Sequence, residues 1–278
     1  MNDLQFEREP MAIEPVEEFK SKQRETWALG NFADIAVFTT PVAGHLVRFA
    51  GLVSGQVVLD VGTGTGVVAV TAGRKGAKVT GLDLTPKLLA HAKENAALAN
   101  LGEIVWQEGD AEALPFPDAS YDVVLSQFGH IFAPRPDVAL AEMLRVLKPG
   151  GTIAFATWPP EQLIGRLFTL NAKYIPPPSE FASPVQWGDV SAVQQRLSMT
   201  TRDLVFQRGV MLIPALSPQH VRVLQEAKAG PFVRMVSALR NEPERLSAWR
   251  NEVDQLVEMY LHDNNVHQEY LLTRAVKL

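Results

Sequence analysis

Residues 58–66 read Val-Leu-Asp-Val-Gly-Thr-Gly-Thr-Gly, and this short stretch decides the fold. It begins inside an apolar, branched run at 56–61, which predicts a strand buried on both faces. The glycines let the backbone turn sharply, and a ligand can lie against bare N–H groups in such a loop, next to the N-terminus of a helix. The stretch therefore predicts a strand–loop–helix unit of an α/β protein.

Strands and helices continue to alternate after this unit. Helices are predicted at 85–102, which stops at Gly102, and at 136–151. The strands that accompany them are short apolar runs at 78–84, 103–110, 120–128 and 152–158. Five strands separated by helices predict a parallel sheet with right-handed crossovers.

The alternation stops at Trp158, and the later residues follow another pattern. A helix near 161–174 leads into a proline-rich stretch that is too irregular for regular structure. Two final strands are predicted at 203–213 and 268–278, with helical sequence between them at 217–262. The sheet therefore gains two strands after a long insertion.

These boundaries predict how the chain is organised. Two helices precede the first strand, at 17–30 and at 40–52, and we expect Pro41 in the first turn of the second. No internal repeat divides the remainder into independent units. We predict an N-terminal helical cover (1–54) and one domain (55–278), with helical insertions near 159–200 and 215–265.

The composition excludes several classes of protein. The 278 residues carry a net charge of −5 and no cysteine. A disulfide framework, a thiolate metal site and a cysteine nucleophile are therefore excluded. The acidic balance argues against a protein that grips nucleic acid, and no apolar run is long enough for a membrane span. The acidic N-terminus lacks the apolar region of a secretory signal, so we expect a soluble cytoplasmic protein.

The spacing of the glycines discriminates between ligands. The dinucleotide pattern G-x-G-x-x-G, started at Gly62, would need glycine at Val67, and the phosphate-loop pattern would need lysine there. Asp60 would repel a pyrophosphate, whereas a cofactor with a zwitterionic amino-acid end tolerates it. A dinucleotide-dependent oxidoreductase is thus disfavoured, and a titration with NAD(H) would test it.

Several motifs follow one another in order along residues 55–158. They are Gly62-x-Gly64-x-Gly66, Asp83, Gly109-Asp110-Ala111, LPFPDASYDVV (114–124) and LKPGGTIAFATW (147–158). With these motifs the stretch resembles the class I S-adenosylmethionine (SAM)-dependent methyltransferases, and it is most similar to the group of ubiquinone- and menaquinone-biosynthesis methyltransferases (methyltransferase type 11). The resemblance implies an α/β, Rossmann-like, seven-stranded, mostly parallel sheet with helices on both faces and the last strand antiparallel.

The resemblance also implies SAM as the cofactor and S-adenosylhomocysteine as its product. It places the glycine loop at the methionyl part, Asp83 at both ribose hydroxyls, and Asp110 at the adenine amino group. One carboxylate can accept both hydroxyl hydrogen bonds, which agrees with the role of Asp83. The predicted cofactor-binding residues are Trp27, Asp60, Gly62, Thr63, Gly64, Gly66, Asp83, Leu84, Gly109, Asp110, Ala111 and Ser126.

Structural alternatives remain for several of these residues. The glycines can form a tight turn alone, Asp83 can cap a helix, and Asp110 can be the N-cap of a short helix at 111–114. Trp27 can cover the sulfonium by cation–π attraction or make a plain core contact.

The residues after the fourth strand, Ser126-Gln127-Phe128-Gly129-His130, should face the reacting methyl group. His130 is the candidate general base, because a histidine side chain ordinarily titrates near neutral pH. The alternative is a structural role, in which His130 packs under the loop. The Asn/Asp-Pro-Pro-Tyr motif of enzymes that methylate nucleic-acid bases or glutamine is absent here. Acids that would bind a catalytic metal are absent too, so we expect no metal.

The leading interpretation is an enzyme that moves a methyl group from SAM to O, C or N of a small molecule. The aromatic residues of the first insertion favour an apolar or aromatic acceptor; they are Phe168, Tyr174, Phe181 and Trp187. The alternative is a catalytically silent SAM-binding regulatory or partner-binding subunit, with the helical sequence at 217–262 as its interface. We do not expect nucleic acid as a partner. The sequence does not decide between a monomer and a homodimer.

Overall fold

The computed structural model describes residues 13–278, so the first twelve residues of the predicted N-terminal cover lie outside the described part. The strands are β1 (Val57–Val61), β2 (Lys78–Asp83), β3 (Val105–Glu108), β4 (Tyr121–Gln127), β5 (Leu147–Thr157), β6 (Thr201–Pro214), β7 (Leu261–His262) and β8 (Asn265–Lys277). The helices are α1 (Ile13–Ala28), α2 (Ala33–Phe49), α3 (Val67–Gly73), α4 (Pro86–Leu98), α5 (Pro136–Val146), α6 (Leu163–Tyr174), α7 (Val190–Leu197), α8 (Pro218–Lys228), α9 (Gly230–Leu239) and α10 (Pro243–Glu258).

The strands form one sheet in the order β3-β2-β1-β4-β5-β8-β6, and the two-residue β7 pairs only with β8. The first five strands are mutually parallel, and β8 runs antiparallel to both β5 and β6. The predicted Rossmann-like, mostly parallel sheet with an antiparallel last strand is confirmed. The strand order reverses between β1 and β4, and open α/β sheets bind ligands at the carboxyl side of such a reversal.

The centre of the sheet is covered on both faces. Successive strand residues point to opposite faces, and Val58 and Leu59 are both 0% exposed. In β4 the same holds for Val124 and Leu125. Helices packed against both sides of the parallel sheet therefore explain why the strand sequences are almost continuously apolar.

Two boundaries differ from the sequence predictions. Helix α2 begins at Ala33, not at residue 40, and Pro41 lies inside it. Ile35 and Ala36 are buried and extend the apolar face of the helix, so packing outweighs the backbone hydrogen bond that proline cannot donate. Strand β5 begins at Leu147, not at residue 152, because Leu147 pairs with Tyr121 ahead of a register shift.

The insertion after β5 contains a helix that the periodicity did not indicate. Helix α7 begins after Asp189, whose carboxylate accepts hydrogen bonds from the backbone N–H groups of Ser191 and Ala192. Its buried residues Val193 and Leu197 join the main core. The division of the chain into a cover (1–54) and a domain (55–278) stays a prediction.

The glycine loop after β1 is built in left-handed backbone conformation. The φ angles are 65° at Gly62, 55° at Gly64 and 80° at Gly66. A Cβ at Gly62 would lie 2.7 Å from the Cα of Gly129, whereas a Cβ at Gly64 would meet nothing within 4 Å. Both glycines therefore relieve backbone strain, but only Gly62 also permits a close contact between two chain segments.

Alanine substitutions should separate these two effects. We expect Gly64→Ala to destabilise the protein by roughly 1–2 kcal/mol, the cost of a left-handed non-glycine residue. Gly62→Ala carries the same cost and must also displace the Gly129 backbone, so its melting temperature should fall further. Thermal unfolding of both variants measures the difference, and equal losses would contradict the proposed contact.

Candidate active site

A cavity opens at the carboxyl ends of the parallel strands. It holds about 1640 Å³ of space, counting the part open to solvent. Four strand-end segments line it; they are residues 62–65, 83–85, 109–111 and 127–129. The reversal of strand order thus gathers most of the residues predicted to bind the cofactor.

Asp83 lies between the glycine loop and the cavity. Its carboxylate accepts hydrogen bonds from the backbone N–H of Gly64 and of Thr85, each 2.8 Å long. Burial raises the pKa of Asp83 above its ordinary value, and the two N–H donors oppose that shift. Asp83 therefore orders the loop and also presents acceptor capacity to the cavity.

Asp60 lies behind the loop and does not line the cavity. Its Oδ2 accepts from Thr63 Oγ1 at 2.6 Å and from the backbone N–H of Ala69 at 3.1 Å. Burial raises the pKa of Asp60 to about 7, with a smaller contribution from the nearby charge of Asp83. Asp60 thus ties the loop to the start of α3, where no ligand in the cavity would contact it directly.

Gly66 is another predicted residue that does not line the cavity. A Cβ there would lie 2.8 Å from the indole of Trp106 and 3.0 Å from Cβ of Ala92. Gly66 therefore permits close packing of the loop against β3 and α4, a role in the fold.

Asp110 lines the cavity and is bound by a lysine from the N-terminal helix. Lys20 Nζ lies 2.5 Å from Asp110 Oδ2 and 2.8 Å from Glu112 Oε2, and Arg135 binds Glu112 at 2.7 Å. Burial alone would lower the pKa of Lys20, but the hydrogen bonds to both carboxylates hold it above its ordinary value. No local pattern indicated Lys20, because it is ninety residues from Asp110 along the chain.

The turn at Asp110 has a local role as well. Asp110 Oδ1 accepts a hydrogen bond from the backbone N–H of Glu112 at 2.8 Å. Asp110 therefore does bond to the backbone just after it, as the N-cap alternative suggested, but in a local side-chain turn. One carboxylate orders the turn with one oxygen and binds Lys20 with the other.

Trp27 lines the cavity from the end of α1. Its ring centroid is 4.8 Å from that of Phe132 and 5.6 Å from that of Phe32, in edge-on geometry. Gln23 donates a hydrogen bond from Nε2 to the backbone carbonyl of Phe132 at 2.7 Å. Helix α1 therefore covers one side of the cavity through an aromatic cluster, and the cation–π role of Trp27 stays a prediction.

Ser126 and His130 lie outside the cavity lining. Ser126 Oγ donates to the carbonyl of Val61 at 2.6 Å and accepts from the backbone N–H of His130. The His130 ring is 1% exposed and packs between Phe155 and Trp187, and burial lowers its pKa to about 3. A general base must reach the proton that it removes, so this geometry favours the structural role of His130.

The other end of the cavity is mostly apolar. Of the aromatic residues expected to wall it, Phe168 lines the cavity, but Tyr174, Phe181 and Trp187 do not. Phe128 and Trp158 line it as a stacked pair, with centroids 3.8 Å apart and planes 11° apart. Phe128 has a φ of 60°, rare for a large residue, which brings its ring to the cavity.

Comparisons with known proteins agree with this geometry. A family described as "methyltransferase domain" matches residues 59–155. An uncharacterized protein of Mycobacterium tuberculosis is 35% identical over 257 residues, which cover 91% of this chain and 93% of the relative. The demethylmenaquinone methyltransferase of Tropheryma whipplei is 34% identical over 47% of this chain and 54% of its own. A SAM-dependent methyltransferase structure from Thermotoga maritima has a TM-score of 0.51 at 17% identity, covering 95% of this chain and 99% of that one.

The fold and site define an open α/β protein with a ligand cavity at the carboxyl ends of its parallel strands. The chain carries a methyltransferase domain at residues 59–155 and is a class I SAM-dependent methyltransferase; over about half of its length it is similar to a menaquinone-biosynthesis enzyme. Its cofactor is SAM, and it is a methyltransferase. Among residues 13–278, no helix combines the length and apolar character that crossing a membrane requires.

The buried neutral His130 should make stability depend on pH. The folded state holds the pKa near 3, against 6.5 for the free side chain, so its contribution is complete above pH 6.5 and is lost as pH falls. Each pH unit below that value costs about 1.4 kcal/mol. His130→Phe keeps an aromatic ring against Phe155 and Trp187 and lacks this dependence.

Urea denaturation at about pH 7.5 and about pH 5.5 measures the effect in both proteins. The free-energy advantage of the wild type over His130→Phe should shrink by roughly 1 kcal/mol at the lower pH. Asp60 is common to both proteins, so its own titration cancels in the comparison. A difference that stays constant between the two pH values would show that the ring is not held neutral.

Proposed function

We propose that the enzyme transfers the methyl group of SAM to a small, apolar or aromatic molecule bound in the same cavity. The observation that carries this proposal is the continuity of the cavity. It joins the glycine loop and Asp83 at one end to the apolar residues beyond β4 at the other. A cofactor along the strand ends would therefore direct its reactive part toward the apolar end.

The residues present fit SAM. Gly64 has open space where a Cβ would be, so a ligand can approach the loop backbone there. Asp83 is oriented by two backbone donors and lines the cavity, which suits a ribose diol, and Leu84 lines it as an apolar neighbour for adenine. Lys20 fixes Asp110 through an ion pair, which suits a carboxylate that accepts from the adenine amino group.

The chain's contribution to the reaction is alignment and exclusion of water. SAM supplies a methyl group that is already electrophilic, so the enzyme has mainly to orient the acceptor. Helices α1, α6 and α9 contribute lining residues over the cavity, among them Trp27, Phe168 and Phe232. A covered, apolar space of this kind suits a small molecule better than a polymer.

Asp83→Ala tests the cofactor site. Losing the ribose acceptor should weaken SAM binding by at least about tenfold, or about 1.4 kcal/mol, in isothermal titration calorimetry. Asp137→Ala is the matched control, because its side chain is 81% exposed, lies outside the cavity and bonds to Arg196. Unchanged affinity in Asp83→Ala would reject the ribose assignment, and a wild-type protein that binds no SAM at millimolar concentration would reject the proposed function.

A further inference from the structure

The acceptor end of the cavity, beyond the end of β4, is mostly apolar but includes carboxamide side chains. One face of α6 lines it, with Ile164, Leu167, Phe168 and Asn171 at helical spacing. Asn171 is the polar member of this stripe. A carboxamide among apolar side chains is unfavourable unless its polar atoms have hydrogen-bond partners. The partners of the Asn171 amide therefore indicate what this end of the cavity can bind.

The amide oxygen of Asn171 already has a partner. Trp249 of α10 donates a hydrogen bond from Nε1 to Asn171 Oδ1 at 2.9 Å. An indole N–H only donates, so the amide atom that faces it is the oxygen. Trp249 is 0% exposed and packs against the lining residue Phe232, with ring centroids 5.5 Å apart. The oxygen of Asn171 is therefore bound to a residue behind the cavity wall.

The amide nitrogen of Asn171 keeps both of its N–H donors. Oδ1 and Nδ2 lie on opposite sides of a planar carboxamide, so Nδ2 points away from Trp249. Within residues 13–278 it donates no hydrogen bond, and it is not one of the polar atoms that are enclosed without a partner. The nitrogen thus keeps accessible surface on a residue that lines the cavity. Asn171 therefore offers a ligand a hydrogen-bond donor of fixed orientation.

A second carboxamide lies at the same end. Gln268 of β8 is 5% exposed and lines the cavity beside Met211, its partner across the strand pair. Within the described part of the chain its amide makes no hydrogen bond, yet neither of its polar atoms is enclosed. A nearly buried amide of this kind is unfavourable unless something in the cavity bonds to it. The acceptor end is therefore suited to a ligand with a neutral polar group.

Resting on the proposed function, we propose that the methyl acceptor is an aromatic carbonyl compound whose carbonyl oxygen accepts an N–H from Nδ2 of Asn171. The stacked rings of Phe128 and Trp158 suit a flat apolar body. A carbonyl oxygen accepts without donating, which matches a site that presents N–H groups. A carboxylate is disfavoured because its charge would be buried, and the lining cation Lys20 is already bonded to Asp110.

Trp249 acts as a positioning residue in this arrangement. It does not line the cavity, but its N–H decides which half of the Asn171 amide faces the ligand. Without that N–H the amide could rotate and present its oxygen, which would repel a carbonyl oxygen. The preference of the site for a carbonyl group therefore depends on a residue of the core.

Matched pairs of probes test the carbonyl contact. Para-hydroxyacetophenone is compared with para-ethylphenol, and para-aminoacetophenone with para-ethylaniline; the members of each pair have similar shapes and differ in the carbonyl oxygen. Each probe is titrated calorimetrically into the protein loaded with S-adenosylhomocysteine. We expect the ketone of at least one pair to bind roughly tenfold tighter, because the ethyl compound buries the Asn171 N–H without a partner. Equal or weaker binding of both ketones would overturn the proposal.

Asn171→Asp identifies the donor. The change keeps an oxygen for Trp249 and removes both N–H donors, so the ketone preference should fall by roughly tenfold at about pH 8, where a carboxylate is ionised. Asn251→Asp makes the same change at an exposed position of α10 outside the cavity and should leave the preference unchanged. Binding of SAM shows that both variants are folded. A ketone preference that persists in Asn171→Asp would overturn the contact.

Trp249→Phe tests the orientation of the amide. Phenylalanine keeps a ring against Phe232 but cannot donate, so the ratio of ketone to ethyl affinity should fall by about threefold or more. A purely structural role of Trp249 would weaken both members of a pair equally and leave that ratio as in the wild type. An unchanged ratio would therefore overturn the positioning role.

The outcomes for the acceptor are separable from those for the cofactor. A protein that binds SAM but neither ketone at millimolar concentration would overturn the carbonyl assignment and leave the proposed methyl transfer standing. Failure to bind SAM would reject the proposed function itself.

Discussion

The contact between two glycines, Gly62 after β1 and Gly129 after β4, is the constraint on which the rest of the site depends. A Cβ on either residue would lie 2.7 Å or less from the other backbone. Only glycine therefore allows the two strand ends to meet. This meeting puts the cofactor loop next to Gln127 and Phe128, so that both ends of the cavity share one wall. A larger residue at either position would separate the cofactor end from the acceptor end.

Two buried carboxylates hold the glycine loop in place from different sides. Asp60 bonds to Thr63 and Ala69 behind the loop, with its pKa raised by burial to about 7. Asp83 bonds to Gly64 from the cavity side and lines the space where a ligand would lie. Each receives N–H or O–H donors, which makes a buried carboxylate tolerable. The loop is thus fixed before any ligand arrives, and less ordering remains for binding.

Helix α1, near the N-terminus, also contacts the cavity. Lys20 reaches Asp110 and Glu112, and Trp27 packs edge-on against Phe132 next to the acceptor end. A single helix therefore contacts both ends of the cavity. Because Lys20 is nearly buried and bonded to two carboxylates, moving α1 away from the cavity would break both ion pairs. A mostly apolar cavity with α1 over one side agrees with an enzyme that relies on alignment and exclusion of water.

The sequence by itself determined the alternation of strands and helices up to β5 and the parallel sheet, because these depend on local periodicity. The resemblance of its motifs to those of SAM-dependent methyltransferases indicated the family and the cofactor. It also indicated Asp83, the glycine loop and Asp110, which occur at fixed positions after strands. It did not determine which way Ser126, Gln127, Phe128 and His130 face. The left-handed backbone at Phe128 decides that: it brings Phe128 to the cavity and leaves His130 in the core. Only the tertiary packing of Phe128 on Trp158 and of His130 on Trp187 holds that uncommon conformation, so no local pattern could have predicted it.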